Sequence, residues 1–131
     1  MDSLTQRLAK AGDALSRLHE GVSREHLNDM ERDGLIQRFE FCFEIMWKCG
    51  KDYLREHEGL DMASPKKVLR AFREIGLFSD GETELALKMV DDRNLTSHTY
   101  DEQFVIALVE RIRDYEKFLQ MWYAQMTAKR F

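Results

Sequence analysis

One proline, Pro65, and seven glycines are the only strong helix breakers in a chain of 131 residues. Together they make about 6% of the sequence, half of the roughly 12% usual for these two residues. A β fold with many turns is thereby excluded, and long uninterrupted helices are favoured. Apolar residues recur at the matching period. Leu4, Leu8, Ala11, Leu15, Leu18 and Val22 alternate steps of four and three, which holds one stripe on one side of a helix. Gly21 is expected to end or fray that helix. Leu35, Phe39, Cys42, Met46, Cys49 and Tyr53 repeat the spacing and predict a second helix running to about His57, before Gly59. Phe41, Phe43, Ile45 and Trp47 lie off this stripe, which predicts a helix wrapped nearly all round by protein.

Ser64-Pro65 reads as an N-cap with proline at the first helical position, opening a short helix over residues 65 to 75. Asp80 is expected to cap the next helix, which holds Leu85, Ala86, Met89 and Val90. Residues 91 to 102 are dense in side chains that compete for backbone hydrogen bonds, so a break is expected there. Thr99 and Glu102 have the spacing of a capping box. A last helix is predicted after Thr99, carrying Val105, Leu108, Ile112, Tyr115, Leu119, Trp122 and Met126. The expected fold is all-α, an antiparallel up-and-down four-helix bundle with one additional short helix, formed as a single domain over residues 1–131.

The longest apolar run, Phe104 to Val109, is far below the ~20 residues of a membrane span. The opening Met-Asp-Ser-Leu-Thr-Gln-Arg has no secretory character, which places the chain in the cytoplasm by expectation. Cys42 and Cys49 stand roughly 10 Å apart along one predicted helix, too far for a disulfide, and read as buried thiols. No metal-ligand spacing or Gly-rich phosphate loop is found in the sequence, so no metal or cofactor is expected.

Arg93 continues the Ala86, Val90 stripe, so a guanidinium points where a core residue would. That placement suggests a cleft or interface, or an arginine paired with Asp91, Asp92 or Glu44 to lock the helix end. A break after Asn94 would let His98 share a face with Arg93. Tyr100, expected in the first turn of the last helix, either lines the same cleft or packs its ring beneath that helix.

Arg93-Asn94-Leu95-Thr96-Ser97-His98-Thr99-Tyr100 resembles the Arg-x4-His-x-Tyr motif of HepT toxins in the HEPN superfamily, with Asn94 matching the polar residue that often follows the arginine. Arg38 to Lys48, followed by Asp52-Tyr53-Leu54, is similar to the corresponding helix of the nucleotidyltransferase substrate-binding branch of that superfamily. The resemblance implies a homodimeric ribonuclease needing no metal, with Arg93 and His98 catalytic. It also implies a cognate minimal nucleotidyltransferase as antitoxin, transferring AMP from ATP to Tyr100. Metal-free RNA cleavage needs a base, an acid and a cation, and two copies of His98 and Arg93 across a two-fold axis would supply them.

Charge pulls the other way. The chain is net −4, and Asp91, Asp92, Asp101 and Glu102 flank the motif. Lys66, Lys67, Arg70 and Arg73 form the one basic stripe, either a solvated face or a contact for RNA or a partner. Glu40 and Glu44 are expected to pair with Lys48 by i, i+4 spacing rather than to act as acids. His19, His26 and His57 receive no role. Two readings stay open: an endoribonuclease toxin, or a non-catalytic subunit that presents nucleotide or substrate to a nucleotidyltransferase.

Overall fold

The structure, a computed structural model, describes residues 3–128. Five helices follow in chain order: α1 (Ser3–Val22), α2 (Asp29–Glu58), α3 (Pro65–Glu74), α4 (Asp80–Asn94) and α5 (Glu102–Thr127). No strand occurs among the described residues, so the all-α fold expected from the scarcity of breakers is the one observed.

Cross-helix bonds give the directions. Arg38 donates to the Arg17 carbonyl at 2.7 Å and Arg7 meets Asp52 at 3.3 Å, so α1 and α2 run antiparallel. Tyr123 donates to the Leu8 carbonyl at 3.1 Å while Arg113 donates to that of Val22, so α5 also opposes α1. Gln125 reaches the Leu77 carbonyl just before α4, and Arg111 reaches Asp92 near its end, which sets α4 against α5. The three stripes read from the sequence meet in one core: Leu18, Phe39, Met46, Leu108, Ile112 and Trp122 are all fully buried. Each such side chain contributes on the order of 1.5–3 kcal/mol by leaving water. Cys42 and Cys49 are free and buried, and burial pushes both thiols up to about 12.

Helix ends depart from expectation in several places. Ser79, not Asp80, caps α4: its Oγ accepts from the Glu82 amide at 3.1 Å, and the Glu82 carboxylate accepts from the Ser79 amide at 2.7 Å. α5 starts later than the Thr99–Glu102 box predicts, because Asp101 is the residue whose side chain accepts from the Phe104 amide, at 3.2 Å. Asn28 and Glu31 form an unforeseen capping box at the start of α2. Ser64 adopts the extended backbone of an N-cap yet makes no side-chain cap bond. Gly21 does not stop α1, which runs through it to Val22. Gly59 ends α2 at φ 67°, a left-handed geometry that favours glycine.

α2 is also less enclosed than its sequence predicts. Phe41 remains 65% exposed, whereas Phe43 is buried and Ile45 and Trp47 are half-buried.

Gly50 sets the closest approach in the core. A Cβ there would lie 2.5 Å from Cζ2 of Trp122 and 2.8 Å from Cγ1 of Val68, so α3 and α5 close onto α2 only because that atom is missing. Gly50→Ala should therefore cost about 1–3 kcal/mol in urea denaturation. Gly34→Ala, where no atom lies within 4 Å of the added Cβ, should be neutral or stabilising by up to about 1 kcal/mol. Equal midpoints for the two variants would contradict this packing.

Candidate functional site

α4 ends at Asn94, and the seven residues before α5 form a chain of turns. The amides of Leu95, Thr96, His98 and Asp101 donate to the carbonyls of Asp92, Arg93, Leu95 and His98 at 3.0 to 3.3 Å. Thr96 is buried; its hydroxyl donates to the Arg93 carbonyl at 2.9 Å and accepts from Arg93 Nη1 at 3.2 Å. The expected break after Asn94 is present, held by a threonine that the sequence analysis did not single out.

Successive residues at the end of α4 face different helices. Asp92 turns inward, 6% exposed, and accepts from Arg111 Nε at 2.6 Å, from Arg111 Nη2 at 3.0 Å and from the Tyr115 hydroxyl. Burial, followed by the bond to Asp92, raises the Tyr115 pKa well above its ordinary value. The hydrogen bond to Asp92 likewise raises that of Arg111. Arg93 turns toward α2. Its Nη1 lies 3.5 Å from Glu40 Oε2 and its Nε 3.5 Å from Glu44 Oε1. That Nε is buried without a hydrogen-bond partner, so the contact with Glu44 is an ion pair at the edge of reach rather than a hydrogen bond. Trp47 Nε1 donates to the other Glu44 oxygen at 3.1 Å and steadies it.

The expected pairing of Glu40 and Glu44 with Lys48 is thus replaced by pairing with Arg93. A guanidinium on a half-buried apolar stripe draws both carboxylates to itself, since an unpaired charge there would be costly. Of the arginine's expected partners only Glu44 is used; Asp92 turns to Arg111, and Asp91 pairs with Lys66 at 2.8 Å. Arg93 retains 27% exposure, enough to meet a ligand.

His98 and Tyr100 are exposed, and His98 Nδ1 lies 3.1 Å from the Tyr100 hydroxyl with ring centroids 5.7 Å apart. Tyr100 lies in the turn before α5 rather than in its first helical turn, and at 83% exposure its ring is not packed beneath the helix. A shallow cavity of about 230 Å³ adjoins it, lined by Asp29, Arg32, Asp33, Thr99, Glu102 and Val105 as well as Tyr100 itself. Asn94 closes α4 and is exposed.

On α3, Lys66 and Arg73 are neutralised by Asp91 at 2.8 Å and Asp80 at 2.9 Å, leaving Lys67 and Arg70 exposed. His19 lies 3.4 Å from the buried Glu116, and His57 packs on Tyr53 at 4.5 Å between centroids. Among the described residues, no three His, Cys, Asp or Glu side chains converge as a metal site would require. No described helix is long and apolar enough to cross a membrane. Sequence reasoning missed Asp92, Arg111 and Tyr115 as a unit. Arg111 and Tyr115 are four apart on α5, which is visible in the sequence, but their common partner lies 19 and 23 residues away.

Asp92→Ala strips both donors of their acceptor. It should lower unfolding stability by about 2 kcal/mol in chemical denaturation, below the usual cost of breaking a buried pair because Arg111 is partly solvated. A loss under about 0.5 kcal/mol would mean that the network does not hold α4 to α5.

Comparison with known proteins identifies relatives. Residues 6–128 match the model of the family described as nucleotidyltransferase substrate binding protein like. The probable ribonuclease HepT of Haemophilus influenzae is 34% identical over 86 residues, covering 63% of this chain and 58% of that relative's length. A crystal structure of a protein from Thermus thermophilus superposes with a TM-score of 0.88 at 47% identity, covering 90% of this chain and 99% of the other. A tri-AMPylated HEPN toxin of Shewanella oneidensis, in complex with its MNT antitoxin, has a TM-score of 0.66 at 17% identity, covering 92% and 97%. At that identity the likeness is one of fold. With its family model matched over nearly the whole sequence, the chain belongs to the nucleotidyltransferase substrate-binding-protein-like family and has the all-α fold of HEPN proteins.

Proposed function

We propose that the chain is a HEPN ribonuclease toxin that uses Arg93 and His98 of two copies to cut RNA without a metal, and that a partner nucleotidyltransferase silences it by transferring AMP to Tyr100. The observation that carries this reading is the 3.1 Å contact between His98 Nδ1 and the Tyr100 hydroxyl, both exposed on the turn that Arg93 and Thr96 anchor. An imidazole in water beside a guanidinium-bearing helix end has little structural use and considerable chemical use.

In the proposed reaction one His98 removes the proton of a 2′-hydroxyl, whose oxygen attacks the adjacent phosphorus. The bond to the 5′-oxygen breaks, and that oxygen takes a proton from the His98 of the second copy. Products are a 2′,3′-cyclic phosphate and a 5′-hydroxyl, and Arg93 stabilises the extra negative charge of the pentacoordinate state. A homodimer is therefore part of the proposal, since one copy holds one imidazole at the motif.

AMP transfer is the matching control. The Tyr100 oxygen attacks the α-phosphorus of ATP, pyrophosphate leaves, and the phenolic proton is lost. With Tyr100 hydrogen-bonded to His98, the attached phosphate lies against the imidazole and puts an anion where an RNA phosphate must bind. The relatives support the pairing: one is a probable ribonuclease, and the fold neighbour is an AMPylated toxin bound to an antitoxin.

A second reading has its own support. Glu40 and Glu44 outnumber Arg93, and the exposed Asp91, Asp101 and Glu102 add negative charge nearby, as would suit a subunit that presents nucleotide to a partner without cutting RNA. Expression of this chain alone separates the two, with growth arrest expected for the toxin. His98→Ala and Arg93→Ala should each reduce cleavage of single-stranded RNA in chelator by about 10²–10⁴-fold with unchanged circular dichroism. A parent that cuts nothing, or a His98 variant as toxic as the parent, ends the nuclease reading.

Co-expression with a cognate nucleotidyltransferase should add AMP to Tyr100 by mass spectrometry, and Tyr100→Phe should escape neutralisation. Full neutralisation of the Phe variant would instead mean silencing by binding.

A further inference from the structure

Arg93 and His98 have little positive surface around them, so an RNA strand must gain its affinity elsewhere. The α3 stripe is half neutralised. A groove between α1 and α2 is not. It has a volume of about 460 Å³, inside the roughly 300–1,000 Å³ of ligand pockets, and is lined by Ala14, Arg17, Gly34, Gln37, Arg38 and Phe41. No carboxylate lines it. Arg17 is exposed, and its guanidinium has no ion-pair partner among the described residues. Arg38 lies with Nη1 on the Arg17 carbonyl at 2.7 Å and 4.0 Å from the largely exposed Glu20, so it is fixed in place with a weak counter-charge.

Two further features suit a ligand with a flat face. Phe41 presents its ring at 65% exposure on α2, the helix that also carries Glu40, whose carboxylate lies 3.5 Å from Arg93. Gly34 sits inside α2, where glycine costs about 1 kcal/mol relative to alanine, yet no atom within 4 Å demands the missing Cβ. Its effect is to leave the groove open.

We propose that this groove is a binding subsite for single-stranded RNA, in which an unpaired base stacks on Phe41 while flanking phosphates meet Arg17 and Arg38. The Gln37 amide is placed to hydrogen-bond a base edge. Stacking on aromatic rings with cations along the backbone is how proteins hold single strands without duplex geometry, and it supplies the attraction that the acidic motif withholds. The subsite rests on the reading of RNA as substrate.

The test uses a fluorescent twelve-nucleotide single-stranded RNA and the His98→Ala chain, so that binding is read without cleavage. Phe41→Ala should weaken binding by about 10- to 100-fold and Phe41→Trp should keep it. Arg17→Ala should reduce the slope of log affinity against log salt by about 0.7. Gly34→Leu, whose Cβ has no atom within 4 Å and whose branch would fill the groove, should block binding while the chain stays folded. Unchanged affinity in Phe41→Ala and Gly34→Leu, or no RNA bound by the His98→Ala chain, overturns the subsite. So does loss of binding together with a change in mass by light scattering, which would make the face an interface between copies, or unchanged RNA binding with lost binding of the co-expressed nucleotidyltransferase. Groove-dependent binding by a chain that never cleaves would end the nuclease reading and leave the subsite standing. Cleavage that survives every groove variant at the parental rate, with unchanged binding, would do the reverse.

Discussion

The buried carboxylate of Asp92 sets the direction of everything at the motif. Arg111 and Tyr115 claim all of its accepting capacity that the structure displays, and so they fix the rotation of the last turn of α4. The next residue on a helix points about 100° away, which is what turns Arg93 from α5 toward α2. Had Asp92 been free to rotate outward, Arg93 would lose its approach to Glu40 and Glu44. The position of the cation is therefore a by-product of a neutralised acid on the adjoining face of the same helix.

Much of the fold was readable from the sequence because apolar spacing repeats locally. The α2 and α5 stripes need no knowledge of what they touch, and Leu35 to Tyr53 and Val105 to Met126 are buried as the period requires. Helix ends were less legible, since Ser79 and Asp80, or Thr99 and Asp101, are all competent caps. Which one acts depends on backbone angles that only the packed chain decides. Arg93 and His98 were legible as unusual residues and by resemblance. Their environment was not: the clamp from Glu40 and Glu44 depends on the end of α4 bringing Arg93 within reach of side chains about fifty residues earlier in the chain. The exposure of Phe41 was hidden for the opposite reason, because a phenylalanine among phenylalanines reads as core.

Net charge is a poor guide to how such a surface treats an anion. Most of the acids near the motif are committed, Asp91 to Lys66, Asp92 to Arg111, and Glu40 and Glu44 to Arg93. An uncommitted cation, Arg17, lies on α1 across the groove from α2. Local pairing thus separates two tasks that bulk charge would merge: a compensated cation at the reacting centre and an uncompensated one where a strand could be held.

The partners of Asp92 come from α5, the last helix in chain order among those described. A chain emerging from the ribosome carries Arg93 and His98 well before it carries Arg111 and Tyr115. Until α5 docks, the last turn of α4 lacks the Arg111 and Tyr115 bonds to Asp92 and keeps its contacts with α2, α3 and Thr96. The residues that orient Arg93 thus stand later in the chain than Arg93 itself.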